Sequence, residues 1–165
     1  MLAPHMEGAV FLDLYAGSGA VGMEALSRGA ASVDFVERAP AAVAVLRANL
    51  ARLGITDGFR IHTGGVGGWL RRFAKGADSA RKTGIVPAFD LIFLDPPYEA
   101  VEEYAATLEL LGGGSVELLA PDALVIAEHR RKERLGERYG ELGRTRLLEQ
   151  GDAALSFYAV GPVAN

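Results

Sequence analysis

Ala9-Val10-Phe11-Leu12-Asp13-Leu14-Tyr15-Ala16-Gly17-Ser18-Gly19-Ala20-Val21-Gly22 is the stretch that decides the fold. Ala9–Tyr15 is an apolar run interrupted by one acid, Asp13, and reads as a buried strand. It runs into G-x-G-x-x-G at Gly17, Gly19 and Gly22, then into a helical pattern through Arg28 that Gly29 closes. A strand, a glycine turn and a helix open an α/β domain, in which the backbone can approach a ligand and the helix N-terminus faces it. The pattern alone is weak, but its context is right. Glu37 ends the next strand, Ser32–Glu37, fifteen residues after Gly22, the usual place for an acid that grips ribose hydroxyls. The first half of the chain is therefore expected to bind an adenosine-containing cofactor. The bland alternative is a glycine-rich turn with Glu37 as an ordinary surface acid.

Outward from that unit, strands and helices alternate. Pro40 suits the first turn of a helix with Val43, Leu46, Leu50 and Leu53 on one face and Gly54 at its end. Phe59–His62 reads as a third strand, Gly64–Gly68 as a loop, Trp69–Phe73 as a short helix and Gly76–Pro87 as an exposed, mobile turn region. Asp90–Leu94 is a fourth strand, Ala100–Leu111 a helix and Ala123–Glu128 a fifth strand. Leu142–Gln150 and Ala154–Val160, split by Gly151-Asp152, read as a hairpin. The pattern predicts an α/β fold: a mostly parallel, seven-stranded sheet flanked by helices, with an antiparallel C-terminal hairpin.

The fourth strand empties into Asp95-Pro96-Pro97-Tyr98. Two prolines fix two φ angles, remove two donors and push the preceding residues toward extended geometry. The product is a stiff ledge with an acid on one side and a flat aromatic on the other. It suits a planar molecule bearing an amino group, stacked on Tyr98 and donating N–H bonds to the Asp95 carboxylate and the Pro96 carbonyl. As a plain rigid strand exit, the same residues would only cap the core.

Length and composition bound these readings. A chain of 165 residues, half of them apolar, suits one domain, residues 1–165, with a substantial core. There are no cysteines, and His5, His62 and His129 lie far apart, so neither a disulfide nor a zinc site is expected. No basic leader and no apolar run long enough for a span stands out, so a cytoplasmic protein acting as a monomer is expected. The net charge is −4, but Arg71–Lys82 and Arg130–Arg146 each carry +4, which leaves −12 on the rest. Such asymmetry is what a nucleic-acid footprint on an acidic body looks like; two solvated surface segments would look the same.

The choice of cofactor turns on charge. A dinucleotide needs its pyrophosphate at the helix N-terminus, whereas S-adenosylmethionine presents a cationic sulfonium and an ammonium group. Asp13 sits four residues before Gly17, and Asp95 adds a second carboxylate at the end of another strand. An acid-rich cleft at the switch point of the sheet favours the cation. A NAD-dependent oxidoreductase remains the alternative.

Asp13–Ala30, Phe35-Val36-Glu37, Asn49-Leu50, Phe89–Tyr98 and Gly151–Tyr158 together resemble the bacterial 16S rRNA guanine-N2 methyltransferases of the RsmD family, from about Val10 to Tyr158. The resemblance implies a Rossmann-like class I methyltransferase that transfers a methyl group from S-adenosylmethionine to the exocyclic amine of a guanine in small-subunit ribosomal RNA. It implies that Asp13, Ala16, Gly17, Ser18, Gly19, Glu37, Arg38, Gly65 and Val66 hold the cofactor. It gives Asp95, Pro96, Pro97 and Tyr98 the target base and the chemistry. Methylation of a DNA or protein amino group, or a non-catalytic module binding cofactor or RNA, are the alternatives.

Three departures stand out. The family carries an acid after the third strand, near the adenine, where this chain has Gly64-Gly65-Val66; backbone groups would then take over. Only Met1–Gly8 precede the first strand, so the family's N-terminal arm is largely absent, which implies a trimmed start or a more open pocket. The Gly76–Pro87 segment is longer than is usual for the family.

Overall fold

The computed structural model describes residues 6–81 and 88–161. One sheet organises them, with eight strands: β1 (Val10–Leu14), β2 (Ser32–Glu37), β3 (Phe59–Thr63), β4 (Phe89–Leu94), β5 (Leu119–Arg130), β6 (Arg138–Tyr139), β7 (Leu142–Gln150) and β8 (Ala153–Val160). Their order is β3-β2-β1-β4-β5-β8-β7-β6. The first five are parallel, and β8, β7 and β6 continue the sheet antiparallel. The expected seven strands and terminal hairpin are present, and the eighth is the two-residue β6 pairing with the start of β7. No hydrophobic run marks so short a strand in the sequence.

Helices α1 (Ala20–Ser27) and α2 (Pro40–Arg52) cover one face. Met23 and Ala25 of α1 and Leu46 and Leu50 of α2 pack there against Phe11, Phe35, Phe93 and Ile126. Helices α3 (Val66–Arg81) and α4 (Glu102–Gly112) cover the other. Val66, Trp69 and Leu70 meet Tyr104, Leu108 and Leu111 over Leu12, Leu14, Ile92 and Leu94. With both faces covered, β1 and β4 are buried almost throughout, which is why they read as continuous apolar runs. The chain leaves β1 toward β2 on one side and returns to β4 on the other. The C-terminal ends of β1 and β4 therefore flank the switch point at which open α/β sheets bind ligands.

Two expectations along the chain are corrected. Val66–Gly68 belong to helix α3, which begins where a glycine loop was expected, because Trp69 N–H already bonds the Gly65 carbonyl at 3.0 Å. The same helix continues through Arg81, so Gly76–Arg81 is helical, whereas turn composition suggested otherwise. Trp69 and Phe73 stack at 4.9 Å and lie against Phe89, and this anchoring outweighs the low helix propensity of the glycines. The remainder of that expected mobile region, 82–87, lies outside the described residues, as do 1–5.

Candidate active site

The glycine turn between β1 and α1 is built by backbone conformation and close packing. Gly17 and Gly19 both have positive φ, 58° and 82°. A Cβ on Gly19 would lie 2.0 Å from Leu46 Cδ1, and one on Gly22 would lie 2.3 Å from the buried Phe35 ring. Gly19 and Gly22 thus let α1 sit tightly on α2 and β2. Gly17 is different: a Cβ there would meet nothing within 4 Å, because it faces a cleft.

Two acids tie this turn together. Asp13 Oδ2 accepts the Gly22 N–H at 3.0 Å, and Glu37 accepts Gly17 N–H on Oε1 and Ala39 N–H on Oε2, both at 2.8 Å. Glu37 therefore fixes the glycine turn to the exit of β2, and each of its oxygens keeps a further lone pair for a ligand hydroxyl. Asp13 is 2% exposed on the cleft floor. Burial pushes its carboxyl up to about 8; the Gly22 N–H pulls the other way, and the nearby Asp95 and Glu37 add to the rise.

The cleft has a volume of about 550 Å³. Of the expected site residues it gathers Asp13, Ala16, Gly17, Ser18, Glu37, Arg38, Gly65, Val66 and all of Asp95–Tyr98. Gly19 does not line it and serves packing instead. Gly65 precedes α3 and its carbonyl accepts the first helical bond, with open space where a Cβ would stand.

Tyr15 is a lining residue that sequence reading missed. It holds φ 60°, the one non-glycine with positive φ among the described residues. Its hydroxyl donates to Glu103 Oε2 and also bonds Thr107 Oγ1, both at 2.7 Å, which joins the end of β1 to α4. Burial raises this phenol well above its ordinary value. A tyrosine directly after β1 carries no sequence signal for that strained conformation.

The proline ledge follows β4. The Pro97 carbonyl accepts Ala100 N–H at 2.9 Å, while the Pro96 carbonyl has no partner among the described residues. Tyr98 is 72% exposed, and the Arg130 guanidinium lies 4.1 Å from its ring centroid. Asp95 is open on one side, yet the surrounding protein desolvates its carboxyl enough to push it up to about 6, and Glu128 contributes to the rise.

Asp95 and Tyr98 also line a second, wider cavity of about 930 Å³. Its other walls are Tyr104, the end of β5 at Glu128–Arg130, the exposed Arg131, Lys132 and Arg134, and the β7–β8 turn at Gln150–Ala153. His129 braces this wall: Nδ1 bonds the Arg130 carbonyl at 2.8 Å and Nε2 meets Ser156 Oγ at 2.9 Å. A carbonyl only accepts, so Nδ1 carries a proton and donates it, and Nε2 shares the second hydrogen bond with the serine hydroxyl. The basic stretch Arg130–Arg146 divides here. Arg138 donates to the Gly140 and Gly161 carbonyls and Arg144 to that of Leu135, whereas Arg130, Arg131, Lys132 and Arg134 rim the cavity, Arg131 paired with Glu149 at 3.0 Å. Arg71, Arg72 and Lys75 lie on α3, and Lys82 is outside the described residues.

The sheet order, the glycine turn and the switch-point cleft define the class I methyltransferase fold. Residues 1–159 match the family described as Conserved hypothetical protein 95, and the chain belongs to that family. Bacillus subtilis YlbH, provisionally described as an rRNA methyltransferase, is 35% identical over 158 residues, 96% of this chain and 79% of that protein. Ribosomal RNA small subunit methyltransferase D of Buchnera aphidicola (Baizongia pistaciae) is 35% identical over 88 residues, 53% of this chain and 38% of that relative. Among solved structures, Escherichia coli yhhF, provisionally described as a methyltransferase, superposes with a TM-score of 0.76 at 28% identity, covering 95% of this chain and 79% of that one. SMU.776, solved as a complex with SAH, shares the fold alone at 14% identity and TM-score 0.66, covering 93% and 45%.

Among the described residues, no group of three or more His, Cys, Asp or Glu is placed to hold a metal ion. No described helix is long and apolar enough to cross a membrane.

Proposed function

We propose that this protein transfers a methyl group from S-adenosylmethionine to the exocyclic N2 amine of a guanine in small-subunit ribosomal RNA. The observation that carries this reading is that the glycine-lined cleft and the basic-rimmed cavity share Asp95 and Tyr98. A donor in one and a nucleobase in the other would meet at the proline ledge. Relatives described as ribosomal RNA methyltransferases support the ribosomal substrate.

The cleft suits a cationic donor. Glu37, Asp95 and Glu103 set three acidic residues against Arg38, a balance hostile to a pyrophosphate, while the buried Asp13 keeps its proton. The Glu37 oxygens retain lone pairs for ribose hydroxyls, and Gly65 and Val66 at the start of α3 offer backbone groups to an adenine. When bound, S-adenosylmethionine supplies an electrophilic methyl on a positively charged sulfur. The residues of the chain do the rest. The Asp95 carboxylate and the unpartnered Pro96 carbonyl accept the two amine N–H bonds, which turns the nitrogen lone pair toward the donor. Tyr98 stacks on the base and offsets part of the cost of removing it from its helix. The nitrogen gains a bond to the carbon as that carbon's bond to sulfur breaks, and it loses a proton that the ionised Asp95 is placed to take. Residues 1–165 would act as one methyltransferase domain, as a monomer in the cytoplasm.

Incubation with tritiated S-adenosylmethionine and undermethylated small subunits should label the RNA, and mass mapping should find N2-methylguanine. Binding of NAD without S-adenosylmethionine in calorimetry, or labelled DNA or protein with unlabelled RNA, would contradict the proposal.

A further inference from the structure

Glu128 has no part in the chemistry above, yet its surroundings are unusual. It lies on β5 in the row of Ile126, the face that also carries Phe93 of β4 and Asp13 of β1. Leu94 and Ala127 are register partners, so Asp95, just past the end of β4, and Glu128 of β5 follow them side by side. Both line the wide cavity. Among the described residues neither carboxylate accepts a hydrogen bond or forms an ion pair, although arginines rim the same cavity. The two repel, and this adds to the rise of the Asp95 carboxyl. Two adjacent carboxylates without a donor between them repel each other, and a ligand that brings donors relieves that repulsion.

Nucleobases with an exocyclic amine differ in what flanks it. Guanine presents N1–H beside its N2 amine, two donors side by side. Adenine and cytosine present a ring nitrogen lone pair beside the amine. We infer that Glu128 is the specificity-determining residue: it accepts the guanine N1–H while Asp95 accepts the amine, and it repels bases whose ring nitrogen carries a lone pair. The inference rests on the proposed methyl transfer and adds to it the element that selects guanine. Its backbone carbonyl accepts the Tyr104 hydroxyl at 2.7 Å, which anchors this part of β5 to α4.

The test uses single-stranded RNA pentamers with guanine or 2-aminopurine at the centre, titrated into the whole protein with S-adenosylhomocysteine present. 2-Aminopurine keeps the amine and replaces N1–H by a lone pair. The wild-type protein should prefer guanine by about 10-fold or more, the scale of one good base contact. Glu128→Gln, which can donate to that lone pair, should bring the ratio near one, with an unchanged melting temperature and unchanged binding of S-adenosylhomocysteine. A wild-type protein indifferent to the substitution, or a Glu128→Gln protein with the full preference, would overturn the inference. Methyl transfer to undermethylated small subunits, measured in parallel, answers separately for the proposed reaction. A protein that prefers guanine but transfers nothing would refute that reaction and leave the role of Glu128 standing.

Discussion

The two hollows that meet at Asp95 are built on opposite terms. On the glycine side, the acids are already engaged: Asp13 holds Gly22, and Glu37 holds Gly17 and Ala39. On the basic side, the Asp95 and Glu128 carboxylates have no hydrogen-bond partner among the described residues. The first region is shaped in advance and keeps its geometry without a ligand. The second leaves its carboxylates without protein partners and so available to a donor-bearing molecule. The difference separates a site that recognises a constant molecule from one that must admit and reject bases.

The largest expected effect falls on the unsatisfied side. Asp95→Ala should lower methyl transfer by about 10²- to 10⁴-fold with the fold intact by circular dichroism. Near-normal rates would remove Asp95 from the chemistry. The prearranged side should answer in stability instead. Gly19→Ala forces a side chain to φ 82° and into the buried Leu46, and should cost about 2 kcal/mol or more in denaturant unfolding.

Acidity offers a way to sharpen the contrast. The Asp95 carboxyl titrates near 6, so transfer should fall as pH drops through about 6, when the carboxyl takes a proton and stops accepting. Asp13 acts on stability. Below its ordinary 3.8 it is protonated whether folded or unfolded. Between there and about 8 only the folded form keeps the proton. Stability therefore declines as pH rises across that window and levels off above it. Asp13→Asn, which can still accept the Gly22 N–H, should flatten the decline in urea titrations; an unchanged slope would assign it to other groups.

Much of the cofactor side was legible in the sequence because it is local. One strand, three glycines and an acid at the end of the next strand fall within Val10–Glu37. The second cavity was only partly legible. Asp95 announced itself through its prolines, but its partner Glu128 comes from another strand, brought alongside by the parallel pairing of β4 and β5. A signal existed: Glu128 closes an apolar strand as Asp95 and Glu37 do, yet the sequence does not say which strands are neighbours. The basic segments misled in another way. Charge counting cannot tell that Arg138 and Arg144 cap carbonyls while Arg130 and Lys132 face the cavity. Helix α3 was shortened by its glycines, because the packing of Trp69 and Phe73 on Phe89 is a tertiary effect.

Smaller effects follow from that division. Changing Arg130 and Lys132 to Ala should reduce the salt slope of binding to single-stranded RNA by about 1.4, two phosphate contacts' worth, while Arg138→Ala leaves it unchanged. Equal slopes for the two variants would dissolve the distinction. The smallest change is expected at Gly65→Asp. It places a carboxylate in open space before α3, where it should tighten S-adenosylmethionine binding in calorimetry and raise the melting temperature slightly.

The most direct measurement is a crystal structure of the protein soaked with S-adenosylhomocysteine. The account predicts the adenosine along Glu37 and Gly65, with the sulfur directed at the opening between Asp95 and Tyr98, toward the cavity that Glu128 and Arg130 line. A sulfur turned away from that opening, or a ligand bound elsewhere on the molecule, would contradict it.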